Sequence, residues 1–186
     1  MKRREFIGAA ATSMAAITAM PSAAIGRLSA DDKKTDNPKN GSTVVSVIQS
    51  EFVGGSPESN PYHPNFKREL FQKEIVDKNT ENIVDLLEEA GRRKSDIALT
   101  TEDFKGLYPL IMDIERPELL KSFAETIPGP TTEKFGAIAK KYNMYIICNL
   151  MEIENGDMHN TAVLIDRKGK VQGIYRKVQL PVPESW

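Results

Sequence analysis

Two side chains in this sequence stand where a carboxylate and an ammonium could work on a bound small molecule. Glu102 follows directly on the stretch DIALTT (96–101), with Asp103 behind it. Strand ends in α/β folds project side chains into ligand crevices, so a carboxylate there can face a ligand; a surface acid capping the next turn or helix fits the same position. Lys177 closes IYRK, with Tyr175 before it and Val178 after it. It either holds a positive charge toward a developing oxyanion or snorkels from an edge strand to water. Glu184, in PVPESW, sits on a Pro-stiffened loop and by itself reads as an exposed acid. Cys148 lies inside YIICNL with apolar neighbours on both sides, where a thiol stays protonated and behaves as a small core hydrophobe. His159, beside Asn160 at the start of a strand, reads as structural. No G-x-S-x-G, P-loop or G-x-G-x-x-G pattern occurs, and Gly54-Gly55 is too little for a phosphate cradle.

The elements that must position these groups follow from periodicity. The β-branched run TVVSVIQ (43–49) predicts a buried strand, and the Gly- and Pro-rich stretch 53–65 a loop. Phe66, Leu70, Val76, Ile83, Leu87 and Ala90 recur at helical spacing, with Gly91 and the cations Arg92, Arg93 and Lys94 as stop signals; Asn79 could divide this helix in two. DIALTT is a second short strand. Pro109 and Pro117 interrupt any long helix between Phe104 and Glu125. After the turn Pro128-Gly129-Pro130, Thr131 or Thr132 can cap a helix carrying Phe135, Ile138, Ala139 and Tyr142. Met144–Met151 predicts an apolar strand, Asn155-Gly156 a tight turn into 159–166, and Arg167-Lys168-Gly169 a turn into 171–176. The expected order is strand–helix–strand followed by an antiparallel meander.

Composition narrows the partners. The chain has 186 residues, of which 40% are apolar, with 25 Lys and Arg against 26 Asp and Glu. So balanced a charge argues against nucleic acid as the main partner. One cysteine excludes a disulfide framework and a multi-cysteine zinc site, and the two histidines lie too far apart for metal-ligand spacing, so no cofactor and no metal is expected. The N-terminus, MKRREFIGAAATSMAAITAMPSAA, has a basic start, a mildly apolar middle and small residues at the end. It resembles a twin-arginine export signal over residues 1–24, which predicts a periplasmic or extracellular protein. Residues 25–42 are too poor in apolar area to fold and read as a linker, leaving 43–186 as the folded part.

The order of the pieces resembles the carbon–nitrogen hydrolase (nitrilase/amidase) superfamily. The stretches that carry the likeness are VVSVIQ, EEAGRRKSDIALTTE, IPGPTTEKFGAIAKKYNMYIICNLME, HNTAVLIDRKGKVQGIYRKVQLP and PESW. The resemblance implies an α/β fold, the αββα sandwich of the nitrilase type, of which only the first part is expected here. It implies assembly into homo-oligomers and a Glu–Lys–Cys mechanism acting on a small-molecule amide or nitrile. On that basis Glu102 is the catalytic base, Lys177 the catalytic lysine and Glu184 a supporting glutamate. The family's nucleophilic cysteine follows the lysine, and no cysteine follows Lys177 before Trp186. Residues 43–186 are therefore expected to be the N-terminal part of a longer hydrolase. A non-catalytic exported binding protein and an acyltransferase with the same triad are the alternatives.

Overall fold

The computed structural model describes residues 42–53, 56–60, 63–111 and 117–180. The expected export signal, most of the linker, the Gly54-Gly55 pair and Glu184 lie outside the described residues.

Among the described residues five strands form one sheet in sequence order: β1 (Val45–Val47), β2 (Ile97–Leu99), β3 (Tyr145–Glu154), β4 (Asp157–Ile165) and β5 (Val171–Arg176). The first three are parallel, and β3, β4 and β5 are antiparallel. Parallel neighbours need a crossover, and α1 (Lys73–Arg92) and α4 (Pro130–Tyr142) supply the helices for it. The antiparallel pair β3–β4 turns on Asn155 and Gly156, with φ of 54° and 94°, the positive values that a two-residue hairpin loop requires. Two shorter helices, α2 (Tyr108–Ile111) and α3 (Pro117–Lys121), occupy the region that the prolines divide.

Both long helices lie on one face of the sheet. Ile83 and Leu87 of α1 and Phe135 and Ala139 of α4 pack, fully buried, with Ala98, Ile146, Val163 and Ile165 of the strands. Each such large side chain contributes roughly 1.5–3 kcal/mol of burial free energy. A second cluster joins Phe71, Val76, Leu110, Leu120, Met151 and Met158 around α2 and α3. The register puts Val45, Ile97 and Tyr145 in one row of the opposite face and Val47, Leu99 and Ile147 in the next. There Val45 is 52% exposed, Val47 78% and Tyr175 52%.

Four expectations need correction. The first strand is an exposed edge rather than a buried element, because among the described residues β2 is its only strand neighbour, and its valines point away from the helices. Asn79 does not break α1. Buried at 1% exposure, its side chain accepts the Val53 N–H (2.7 Å) and donates to the Lys105 carbonyl (3.4 Å), so it does not compete with the helix backbone. The helix begins at Lys73, leaving Phe66 and Leu70 outside it, and Gly91 lies within it. Lys94, at φ 60°, takes the left-handed position instead, and Gly91 is small because a Cβ there would lie 2.2 Å from Cγ of Tyr142. The cap of α4 is Gly129, whose N–H is accepted by the Thr132 hydroxyl (2.8 Å) from within the first turn.

Candidate active site

Glu102 leaves the sheet just past the C-terminal end of β2, where Thr100 still donates its N–H to Ile147 (3.0 Å). The loop beyond it is set by Asp103, whose carboxylate accepts the N–H groups of Leu107 (2.7 Å) and Tyr108 (2.6 Å) and so starts α2. Lys177 is the residue after β5. Its N–H donates to the Asn160 carbonyl (2.8 Å), which extends the β4–β5 ladder and holds the side chain at the same end of the sheet as Glu102.

The two groups meet. Lys177 Nζ lies 3.1 Å from Glu102 Oε1 across a separation of 75 residues, and Asn160 Nδ2 donates to the same oxygen at 2.8 Å. Among the described residues no donor reaches Oε2, the oxygen left to accept a proton. The hydrogen bond from Asn160, opposed by partial burial and reinforced by the Lys177 ammonium, holds the Glu102 carboxyl below the usual carboxylate range. The pair is not sealed off: the Glu102 side chain is 61% exposed and that of Lys177 32%. Its direct contribution to stability is therefore small.

Lys177 is further fixed by the residue before it. Arg176 grips Glu152 through two bonds (2.8 and 2.7 Å) and reaches Glu154 at 2.9 Å, while Thr161 donates its hydroxyl to Glu152 (2.7 Å). The Arg176 hydrogen bonds, set against burial, hold the Glu152 carboxyl low. This network ties β3, β4 and β5 together immediately before Lys177.

Glu102, Lys177, Asn149 and Asn160 line a cleft of about 340 Å³, with Phe104 and Leu107 among its apolar walls. A larger hollow of about 500 Å³ opens beside Lys105, Glu125 and Thr131. Its three lysines are each paired with a carboxylate: Lys73 with Asp77, Lys105 with Glu125 and Lys134 with Glu81. The smaller cleft holds the Glu102–Lys177 pair and is the candidate site. Among the described residues no group of three His, Cys, Asp or Glu could hold a metal ion.

Cys148 points the other way, into the helix-covered core at 1% exposure, where burial pushes its thiol up to about 12. His159 sits on β4 opposite Glu152 and is absent from the cleft lining. The sequence reading missed Asn149 and Asn160. The signal was available, since both are amides within apolar strands, and strand alternation puts both on the face opposite Cys148.

The comparisons with known proteins agree with this architecture. The carbon–nitrogen hydrolase family model matches residues 69–186. A formamidase from Bacillus cereus (strain Q1) is 38% identical over 69 residues, 36% of this chain and 21% of its own length. An omega-amidase from Pongo abelii is 27% identical over 120 residues, 62% of this chain and 41% of its own. The chain thus spans well under half the length of these relatives. Among solved structures, a carbon–nitrogen hydrolase from Helicobacter pylori G27 superposes with a TM-score of 0.54 at 22% identity, covering 77% of this chain and 42% of that one. An N-terminal amidase superposes with a TM-score of 0.52 at 22% identity, over 61% and 27%. The described sheet and helices are therefore part of a nitrilase-type α/β fold. With a family model matched over more than half of its length, the chain belongs to the carbon–nitrogen hydrolase family.

Proposed function

We propose that Glu102 and Lys177 are the general base and the charge-stabilising group of an active site that hydrolyses the C–N bond of a small amide. In this reading the nucleophilic thiol comes from polypeptide that these 186 residues do not include. The observation that carries it is the meeting of carboxylate and ammonium at 3.1 Å, in a cleft at the strand ends, from residues 75 apart. The formamidase and omega-amidase relatives favour an amide over a nitrile as substrate.

Glu102, ionised at neutral pH, takes the proton of the thiol through Oε2, and the thiolate forms a bond to the carbonyl carbon as the C=O π electrons move to oxygen. Lys177 stabilises that oxyanion. Collapse restores the carbonyl and expels the amine, which carries away the proton held by Glu102, leaving a thioester. Water then loses a proton to Glu102 as its oxygen attacks the thioester carbon; the C–S bond breaks, the departing sulfur takes that proton back from Glu102, and the acid leaves. Cys148 cannot stand in for the missing thiol, because it is buried on the opposite face and its proton is held tightly.

The test is ammonia release from formamide and short aliphatic amides by the complete enzyme and its Glu102→Gln variant. The amide keeps the shape of the side chain but cannot take a proton, so kcat falls by about 10²–10⁴-fold. Unchanged kcat in the variant would overturn the assignment.

A further inference from the structure

The cleft around Glu102 and Lys177 is divided chemically. Asn149, Asn160, Lys177 and Glu102 form one connected hydrogen-bonded group at its polar end. Leu107, Ile111 and Met151 line it further on and belong to a single buried apolar cluster, with Tyr108 beside them. Tyr108 and Ile111 stand three residues apart on α2 and so face the same way. Asp103 fixes that helix against the base, because its carboxylate accepts the N–H groups of Leu107 and Tyr108. One loop therefore carries both the carboxylate and the apolar wall.

Among the described residues, each charged group lining the cleft is engaged within the chain. Glu102 meets Lys177, Asp103 holds the α2 backbone, and Lys105 is paired with Glu125. A substrate carboxylate laid on the apolar wall would lose water and gain no partner there. An amide carbonyl carbon has three substituents in one plane, and the pair engages two of them. The oxygen lies toward the Lys177 ammonium, and the nitrogen, which collects its proton from Glu102, lies toward the carboxylate. The third substituent, the acyl chain, runs from the polar end onto Leu107, Tyr108 and Ile111. We infer that the cleft takes amides whose acyl group is a short, uncharged hydrocarbon chain. Its volume of about 340 Å³ is near the lower end for small-molecule sites and suits a chain of that size.

The inference rests on the reading of Glu102 and Lys177 as the catalytic pair, and the complete enzyme tests it. The kcat/KM for acetamide, propionamide and butyramide rises about fourfold with each methylene. Succinamate reacts about 10²-fold more slowly than 4-methylpentanamide, the neutral amide of the same shape. Tyr108 is 46% exposed, so Tyr108→Lys puts a cation on the wall without opening the core. It raises the ratio of kcat/KM for succinamate to that for 4-methylpentanamide about tenfold, and a ratio does not depend on how much of the variant folds. Flat values along the acyl series overturn the inference, and so does succinamate as the better substrate. An equal gain from lengthening the amine side, N-propylacetamide against N-methylacetamide, overturns it too, as does an unchanged ratio in Y108K. The two readings fail separately. Undiminished hydrolysis by E102Q strikes the catalytic pair, whereas an inactive E102Q beside a preference for succinamate strikes only the apolar acyl site.

Discussion

Replacing Lys105 by Met tests whether the buried ion pair beneath the Glu102 loop carries that loop. The Lys105 side chain is 7% exposed and the Glu125 side chain 17%. Glu125 also accepts the N–H of Thr131 (2.8 Å) and its hydroxyl (2.6 Å), and its backbone bonds Met151 and Ile153 of β3 at 2.9 Å each. Burial by itself would raise the Glu125 carboxyl; the Lys105 charge and the hydrogen bonds of Lys105 and Thr131 outweigh it and bring it below its ordinary value. Removing one partner of a buried pair costs about 3–5 kcal/mol, because the other charge stays behind. Thr131 still bonds Glu125 and some water reaches it, so the lower end, about 3 kcal/mol at pH 7, is expected. That is a large share of the roughly 5–15 kcal/mol of a typical domain. The pH dependence has a definite sign. In the parent chain the depressed carboxyl stabilises the fold above the unfolded value near about 4.3 and loses that contribution as the pH falls through its folded value. In the Met variant burial dominates, the carboxyl is raised, and protonation at low pH relieves the penalty. The stability gap therefore narrows from pH 7 toward pH 4. Urea unfolding at a series of pH values, followed by circular dichroism, measures it. A gap that stays below about 0.5 kcal/mol at pH 7, or one that does not change with pH, refutes the reasoning.

Two further outcomes follow from close packing. At Gly136 a Cβ would lie 2.4 Å from the carbonyl oxygen of Gly169, and at Gly169 the same distance from the oxygen of Gly136, so two backbones are in contact. Gly136→Ala is expected to cost about 3 kcal/mol in urea unfolding. Gly173→Ala, with nothing within 4 Å, is the control and stays within about 0.5 kcal/mol; equal costs for both would show that the crossing is loose. Cys148, its thiol raised to about 12, reacts with an aromatic disulfide reagent in the folded chain no faster than the chain unfolds, and at once in urea. Immediate labelling in buffer would contradict its burial.

The parts of the fold visible in the sequence are those governed by local rules. Two positive-φ residues at Asn155-Gly156 fix the hairpin wherever it sits, and the apolar stripe from Val76 to Ala90 needs only a partner face. What failed depended on neighbours distant in sequence. The valines of β1 look like core residues because β-branching is blind to which sheet face the helices cover. Gly91 looks like a helix stop because its real reason, the ring of Tyr142, lies 51 positions later. The short helices between Phe104 and Glu125 have too few residues for any period to show.

The site divides along the same line. Glu102 and Lys177 each left two readings open when taken from position alone, because an acid at a strand end and a lysine on an edge strand are common on surfaces. What the structure adds to position is contact, and contact here is made by residues with no chemistry of their own to attract notice. Asn160 supplies one bond to each member of the pair, and Arg176 clamps the strand end that carries Lys177. Alternation along β3 and β4 would have put Asn149 and Asn160 on one face of the sheet before any coordinates, and an amide there has to find partners. Two amides on that face, beside an acid at the end of β2 and a lysine after β5, amount to a polar end on an otherwise apolar surface. That face also carries Val47 at 78% exposure. Any apolar partner that covered it would lower the dielectric around Glu102 and Lys177 together. Desolvation would then raise the carboxyl and strengthen its attraction to the ammonium, and the donors from Asn160 and Lys177 would decide how far Glu102 rises toward neutrality.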